Sequence, residues 1–208
     1  MRKYGFSILI FIVTGLTCFA QKETRKTINA ENIVDIFIEA NEVFKINIIA
    51  ENRNSIQFST HSEGEYFNNI AVLSEVREHQ VLLKTQYPDR LVGGFDKLSA
   101  HKVFSIELEL YVPNNKLVSV SSNSGSIKAT GNFSNFIANL KEGHCYLDRF
   151  VGNAQINTYF GDIRVETNNA QIKATSRHGK VNVAKPLNGL HQIKLNSING
   201  DISVVKTK

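Results

Sequence analysis

Tryptophan is absent from this chain of 208 residues, methionine occurs once, cysteine twice and proline three times. Cys18 lies just after an N-terminal apolar run, so the remainder of the chain holds one thiol, Cys145, and no internal disulfide can staple it. Beyond that first run, no stretch is long and apolar enough to cross a membrane as a helix. No segment has the spacing of an amphipathic helix. The histidines, His61, His79, His101, His144, His178 and His191, show no ligand spacing such as His-x-x-x-His. Neither a Gly-x-Ser-x-Gly elbow nor a phosphate-binding glycine loop occurs, and no cofactor is expected. The formal charge is +5, but its lysines and arginines are scattered rather than gathered in a stripe, which argues against nucleic-acid binding. Asn, Ser and Thr are plentiful, as suits a turn-rich β protein.

What is present is a repeat. From Val118 to Val204 the chain reads apolar, any residue, apolar every nine residues. The first apolar positions are Val118, Ile127, Phe136, Cys145, Ala154, Ile163, Ile172 and Val181, and the second are Val120, Ala129, Ala138, Leu147, Ile156, Val165, Ala174 and Val183. After a three-residue insertion near Pro186-Leu187-Asn188-Gly189 the pattern resumes at Ile193 and Leu195, then at Ile202 and Val204. Glycines stand at Gly125, Gly143, Gly161, Gly179 and Gly200. A spacing of two is strand periodicity. Arms this short bury their apolar pairs only by stacking on their neighbours. The repeat therefore predicts a parallel β-solenoid over 114–208, of about five 18-residue coils with two nine-residue arms each, and glycine turns in one of the two connections. Cys145 takes an inward position and reads as an inert core thiol.

The N-terminus reads as an export signal. Arg2 and Lys3 precede the apolar run Phe6 to Leu16, and Thr17-Cys18-Phe19-Ala20 supplies small residues for cleavage after Ala20. Residues 1–20 are then a signal peptide and 21–29 a polar, flexible lead-in; lipidation at Cys18 is the alternative. Over 30–113 the segments Ile33 to Ile38, Val43 to Ile49, Ser55 to Thr60, Asn69 to Ser74, Gln80 to Thr85 and Val103 to Val112 have strand patterning between turn-like separators. They predict an antiparallel β module of about six strands that packs against the solenoid or runs into its first coil, covering its open end. The stretch from Tyr87 to Lys102, with Asp89, Arg90, Asp96, Lys97 and His101, reads as a long connector between two of these strands.

Units such as Phe160-Gly161-Asp162-Ile163-Arg164-Val165 and Asn199-Gly200-Asp201-Ile202-Ser203-Val204 resemble the strand repeats of the bacterial putative-adhesin family, a domain of unknown function. The export signal, the β-rich first half and the repeat-rich second half are similar to members from Gram-negative bacteria. The resemblance implies an exported all-β protein of the periplasm or cell surface. It brings no catalytic residues.

Three chemistries can be weighed on the repeat. The period resembles calcium-binding β-rolls, but the aspartate ladder is missing, and Asp162 and Asp201 are expected in coils that are not adjacent. Asp148 and Glu166, eighteen positions apart, should stack as a carboxylate pair; Lys128 and Arg164 beside them favour a solvated face over a polysaccharide-cleaving centre. The other outward face carries Ser121, Asn139, Asn157, Thr175 and Asn196 in one line and Asn135, Asn153, Gln171 and Gln192 in another. Such ladders of amides and hydroxyls hydrogen-bond along a stack, and they also present a repetitive polar surface suited to glycans. The expected role is non-enzymatic surface recognition by a rigid solenoid, with a glycan or an envelope protein as partner. The alternatives are a periplasmic structural or sensory module that binds protein through the long loop or an open solenoid end, and, third, a polysaccharide-active enzyme.

Overall fold

The computed structural model describes residues 21–64, 71–86, 104–184 and 187–207. The expected signal peptide, Cys18, the 87–102 connector and Pro186 lie outside the described residues. The described residues are all strand and turn, in one mixed 15-stranded sheet. In chain order the strands are β1 (Gln21–Asn29), β2 (Asp35–Glu39), β3 (Lys45–Glu51), β4 (Ser55–Gly64), β5 (Ala71–Arg77), β6 (Gln80–Gln86), β7 (Phe104–Pro113), β8 (Leu117–Ser122), β9 (Ser126–Glu142), β10 (Cys145–Phe160), β11 (Ile163–Glu166), β12 (Ala170–Ser176), β13 (Val181–Val183), β14 (His191–Asn199) and β15 (Ile202–Val205).

Pairing sorts these strands into two ladders. One runs β5-β6-β2-β8-β9-β10-β14-β12, and the other β1-β4-β7-β3-β9-β10-β11-β15-β13. Strands β9 and β10 belong to both, because each is long enough to give its first half to the second ladder and its second half to the first. The change-over in β10 coincides with register shifts between Asp148 and Phe150 and between Val151 and Asn153. Three rings fill the core there: Phe133 stacks on Phe150 at 5.6 Å between centroids, and Phe136 meets both edge-on. One hydrophobic cluster contains the inward residues of both ladders.

The inward register expected from the repeat is met at every position from Val118 to Val165 and again from Ile193 to Val204, all of them buried. The exceptions, Ile172, Ala174, Val181 and Val183, all fall in β12 and β13. The reason is the stacking order. Parallel registers place Ile163 beside Ile202, and Ile202 beside Val181. In the other ladder Ala154 pairs with Ile193, and Ile193 with Ile172. The last strands, β14 and β15, are thus inserted between β10/β11 and β12/β13, which leaves β12/β13 outermost with one strand neighbour each among the described residues. The three-residue insertion lies between Val183 and His191, and β14 after it pairs with both β10 and β12.

The N-terminal half repeats this device. Antiparallel pairing, expected throughout 30–113, holds for β4 with β7 and for β5 with β6. Strands β2 and β3 depart from it. They pair parallel with β6 and β8, and with β7 and β9, so they lie inside the stack. Their side chains explain why: Ile36, Ile38, Ile46 and Ile48 have the same inward pair as the later repeat and are fully buried. The lead-in 21–29 also differs from expectation. It forms β1, antiparallel to β4 along its whole length. This edge strand is held by backbone pairing and has little apolar pattern to reveal it.

The corner glycines stack on one another. Gly143 and Gly161 have φ of +127° and +151°, and a Cβ on either would overlap the carbonyl oxygen of the glycine beneath, Gly125 or Gly143. Only glycine satisfies both the backbone and the close approach.

Cys145 is fully buried, and burial pushes its thiol up to about 12. Thiolate is the reactive form, so native protein should resist iodoacetamide at pH 8 and label only on unfolding. The sign of the pH dependence follows. Below the ordinary thiol value of about 8.5 both states hold a neutral thiol and the full contribution to stability is present. As pH rises from there towards about 12, the unfolded chain ionises first and stability falls. Rapid labelling of native protein would show that the thiol is accessible.

Candidate functional site

The ends of β8, β9, β10 and β14 bring Ser121, Asn139, Asn157 and Asn196 into consecutive register. The asparagines form a continuous amide ladder. Asn157 Nδ2 donates to Asn139 Oδ1 at 2.9 Å, and Asn196 Nδ2 donates to Asn157 Oδ1 at 2.9 Å. This order differs from the sequence order. Asn196 stands between Asn157 and Thr175, because β14 lies between β10 and β12. The ladder lines an open groove of about 630 Å³, whose wall includes Tyr159. Tyr159 is half exposed and meets the equally exposed Phe160 edge-on at 4.7 Å between ring centroids.

Each ladder amide has two N–H groups and a carbonyl with two lone pairs. The stacking bonds use one of each at Asn157. The remaining donor and acceptor are available to a ligand, and the array repeats at the strand spacing of about 4.8 Å.

The second predicted line does different work. Asn153 Oδ1 accepts the Gln192 backbone N–H at 2.9 Å, and its Nδ2 donates to the Ser134 carbonyl at 3.4 Å. Gln171 Nε2 donates to the Gly189 carbonyl at 3.2 Å. Asn153 thus ties β10 to β9 and β14, and Gln171 ties β12 to the loop before β14. Asn135 is aligned with Asn153 and with Leu117.

Asp162 and Asp201, expected in coils that are not adjacent, are neighbours, and the inserted last strands are again the cause. They belong to a line of side chains that follows the corner glycines. Ser126 Oγ accepts the His144 N–H at 3.1 Å, His144 Nδ1 accepts the Asp162 N–H at 3.0 Å, Asp162 Oδ1 accepts the Asp201 N–H at 2.8 Å, and Asp201 Oδ1 accepts the Lys180 N–H at 2.7 Å. The two carboxylates are thereby committed to backbone groups. Among the described residues no group of three or more His, Cys, Asp or Glu could hold a metal ion. On the opposite face Lys128 Nζ lies 2.9 Å from Asp148 Oδ2, the neutralising contact expected of a solvated face.

Sequence reasoning placed the asparagines and missed the aromatics. The signal was present. Two residues before each corner glycine stand Asn123-Ser124, Lys141-Glu142, Arg177-His178 and Ile198-Asn199, whereas Tyr159-Phe160 precedes Gly161.

No family model and no curated protein matches the sequence. Solved structures do match. The chain shares its fold with a putative cell adhesion protein from Clostridium sporogenes. The superposition covers 90% of this chain and 100% of that one, with a TM-score of 0.67 at 16% identity. A putative adhesin from Bacteroides fragilis aligns over 88% of this chain and 97% of its own, at 12% identity and a TM-score of 0.39. The likeness to putative adhesins expected from the glycine-punctuated units is therefore borne out, and at these identities what is shared is the fold.

Proposed function

We propose that the protein is an exported, adhesin-like recognition module whose two ladders wind as a β-solenoid, and that it holds a linear polysaccharide in the groove over Asn139, Asn157 and Asn196. The observation that carries this reading is the amide ladder itself, in a groove that the half-exposed ring of Tyr159 also lines. Sugar hydroxyls both donate and accept, as the amides do. The faces of sugar rings are apolar and pack on aromatic side chains. A repeating polymer meets a repeating array and gains many weak contacts at once. Residues 1–20, with their signal-peptide pattern, support export, and the adhesin-named neighbours support a place at the surface. The reading needs no bond cleavage, since the groove offers amides, hydroxyls and rings.

The test is retention on immobilised neutral polysaccharides, compared between the native protein, Asn139→Leu with Asn157→Leu, and Tyr159→Ala. The double variant should lose binding by about tenfold or more, equivalent to ~1.4 kcal/mol, with an unchanged melting temperature because these side chains face solvent. Thr175→Leu, one strand further out, should matter less. Undiminished retention by the double variant would rule the groove out. Release of reducing ends, abolished by Asp148→Asn or Glu166→Gln, would make the protein an enzyme instead.

A further inference from the structure

The stack is finished at one end and open at the other. At the first end β1, with its mixed charges Lys22, Glu23, Arg25 and Lys26, lies antiparallel on β4, and β5 lies antiparallel on β6. Charged edge strands discourage further pairing. At the other end, among the described residues, β12 pairs only with β14, and β13 only with β15. One edge of each therefore has no strand partner among the described residues. Beside that edge Ile172, Ala174 and Val183 are only partly buried, and Val181 is 44% exposed.

The charges at this end have one sign. Between Glu166 and Asp201 the chain has no Asp or Glu, but it has five lysines and arginines, of which Lys173, Arg177, Lys180 and Lys194 are described and exposed. The sequence spreads these cations out, and the insertion of β14 gathers them. Lys173 and Lys194 are register partners on β12 and β14, and like charges directly opposite one another weaken a sheet. Among the described residues, none of the four forms an ion pair. The neighbouring carboxylate of Asp201 is turned to the Lys180 backbone N–H.

The geometry points to a docking site for an extended acidic polypeptide that adds a strand to β12. Its backbone pairs with the open edge, its apolar side chains cover Ile172 and Ala174, and a carboxylate between them meets Lys173 and Lys194. Strand addition of this kind takes affinity from main-chain bonds and specificity from alternate side chains. A second copy of this chain would bring the same cations face to face, which costs free energy. A polyanionic sugar or lipid surface would satisfy the charges and leave the backbone edge and the apolar pair unused.

The probe is a labelled nine-residue peptide that alternates valine and glutamate, titrated into the purified protein and followed by fluorescence anisotropy. It should bind, and the same peptide with lysine for glutamate should not. N-methylation of alternate peptide amides should weaken binding by about tenfold or more, since it removes strand pairing and leaves the charge. Lys173→Glu with Lys194→Glu, both exposed, should keep the native melting temperature and reverse the preference towards the lysine peptide. The proposal is overturned if the methylated peptide or dextran sulfate binds as well as the parent peptide, if the charge reversal changes nothing, or if sedimentation shows this end closed by a second copy.

Discussion

Ile163→Asp leaves the protein unfolded at room temperature. Ile163 opens β11, is 1% exposed, and lies between Cys145 of β10 and Ile202 of β15. The substitution removes a buried side chain whose transfer from water contributes about 1.5–3 kcal/mol. It also places a carboxylate among apolar neighbours with no cation to meet it, and an unpaired buried charge is the more costly part. Together these exceed ~5 kcal/mol, against a total stability of roughly 5–15 kcal/mol for a domain. Circular dichroism with a thermal ramp checks it. A native melting temperature would mean that Ile163 does not face inward.

Truncation after Leu190 should be as damaging, and for a reason peculiar to this stack. In a chain-ordered solenoid the last strands form the outermost coil and their loss shortens the stack. Here β14 and β15 each have a neighbour on both sides. Removing them deletes Ile193, Leu195, Ile202 and Val204, all buried, at roughly 1.5–3 kcal/mol each before entropy is subtracted. It also strands β12 and β13, which have no other strand partner among the described residues. The loss is comparable to the whole stability of a domain. In urea the truncated chain should show no cooperative transition. By contrast Ile172→Ala, the same residue type at the same repeat position but only partly buried on the outermost strand, should cost about 1 kcal/mol, below the roughly 2–5 kcal/mol of such truncations in a core. A truncated protein with a native urea midpoint would show that β14 and β15 are peripheral.

Why the sequence shows the register and hides the order follows from the same residues. Every arm carries its apolar pair at the same two positions, so stacking Ile163 on Val181 satisfies the pattern as well as stacking it on Ile202. Hydrophobic periodicity is local, and it fixes which face is inward without fixing which neighbour is met. The cue to order was the extra length after Val183, which reads equally well as a simple longer loop. Strands β2 and β3 were hidden likewise: Ile36 with Ile38 and Ile46 with Ile48 show that these segments are strands, and nothing local says whether their partners run parallel. Strand β1 was invisible because its residues, from Lys22 to Lys26, are polar and its hold on β4 is through the backbone. The asparagine line was legible at Asn139 and Asn157, which are eighteen apart and stack directly. Asn196 comes next to them only through the insertion.

The candidate groove and the open end therefore have a common origin. Inserting β14 beside β10 completes the amide ladder at Asn196 and aligns Lys194 with Lys173, while it leaves β12 and β13 as the last strands of the stack. The bond from Asn196 to Asn157 would not exist in a stack built in chain order, which would keep the Asn157–Asn139 bond and place Thr175 beside Asn157.

The most direct measurement is a distance between engineered thiols. Two double variants are made, Asn157→Cys with Asn196→Cys and Asn157→Cys with Thr175→Cys, each treated with a bifunctional thiol reagent that spans about one strand spacing, ~4.8 Å. Cys145 is buried and does not compete. The inserted order predicts that the pair at 157 and 196 cross-links readily and that the pair at 157 and 175, two spacings apart, does not. Cross-linking of 157 to 175 in place of 157 to 196 would contradict the inserted stack and with it the amide ladder on which the proposed binding groove rests.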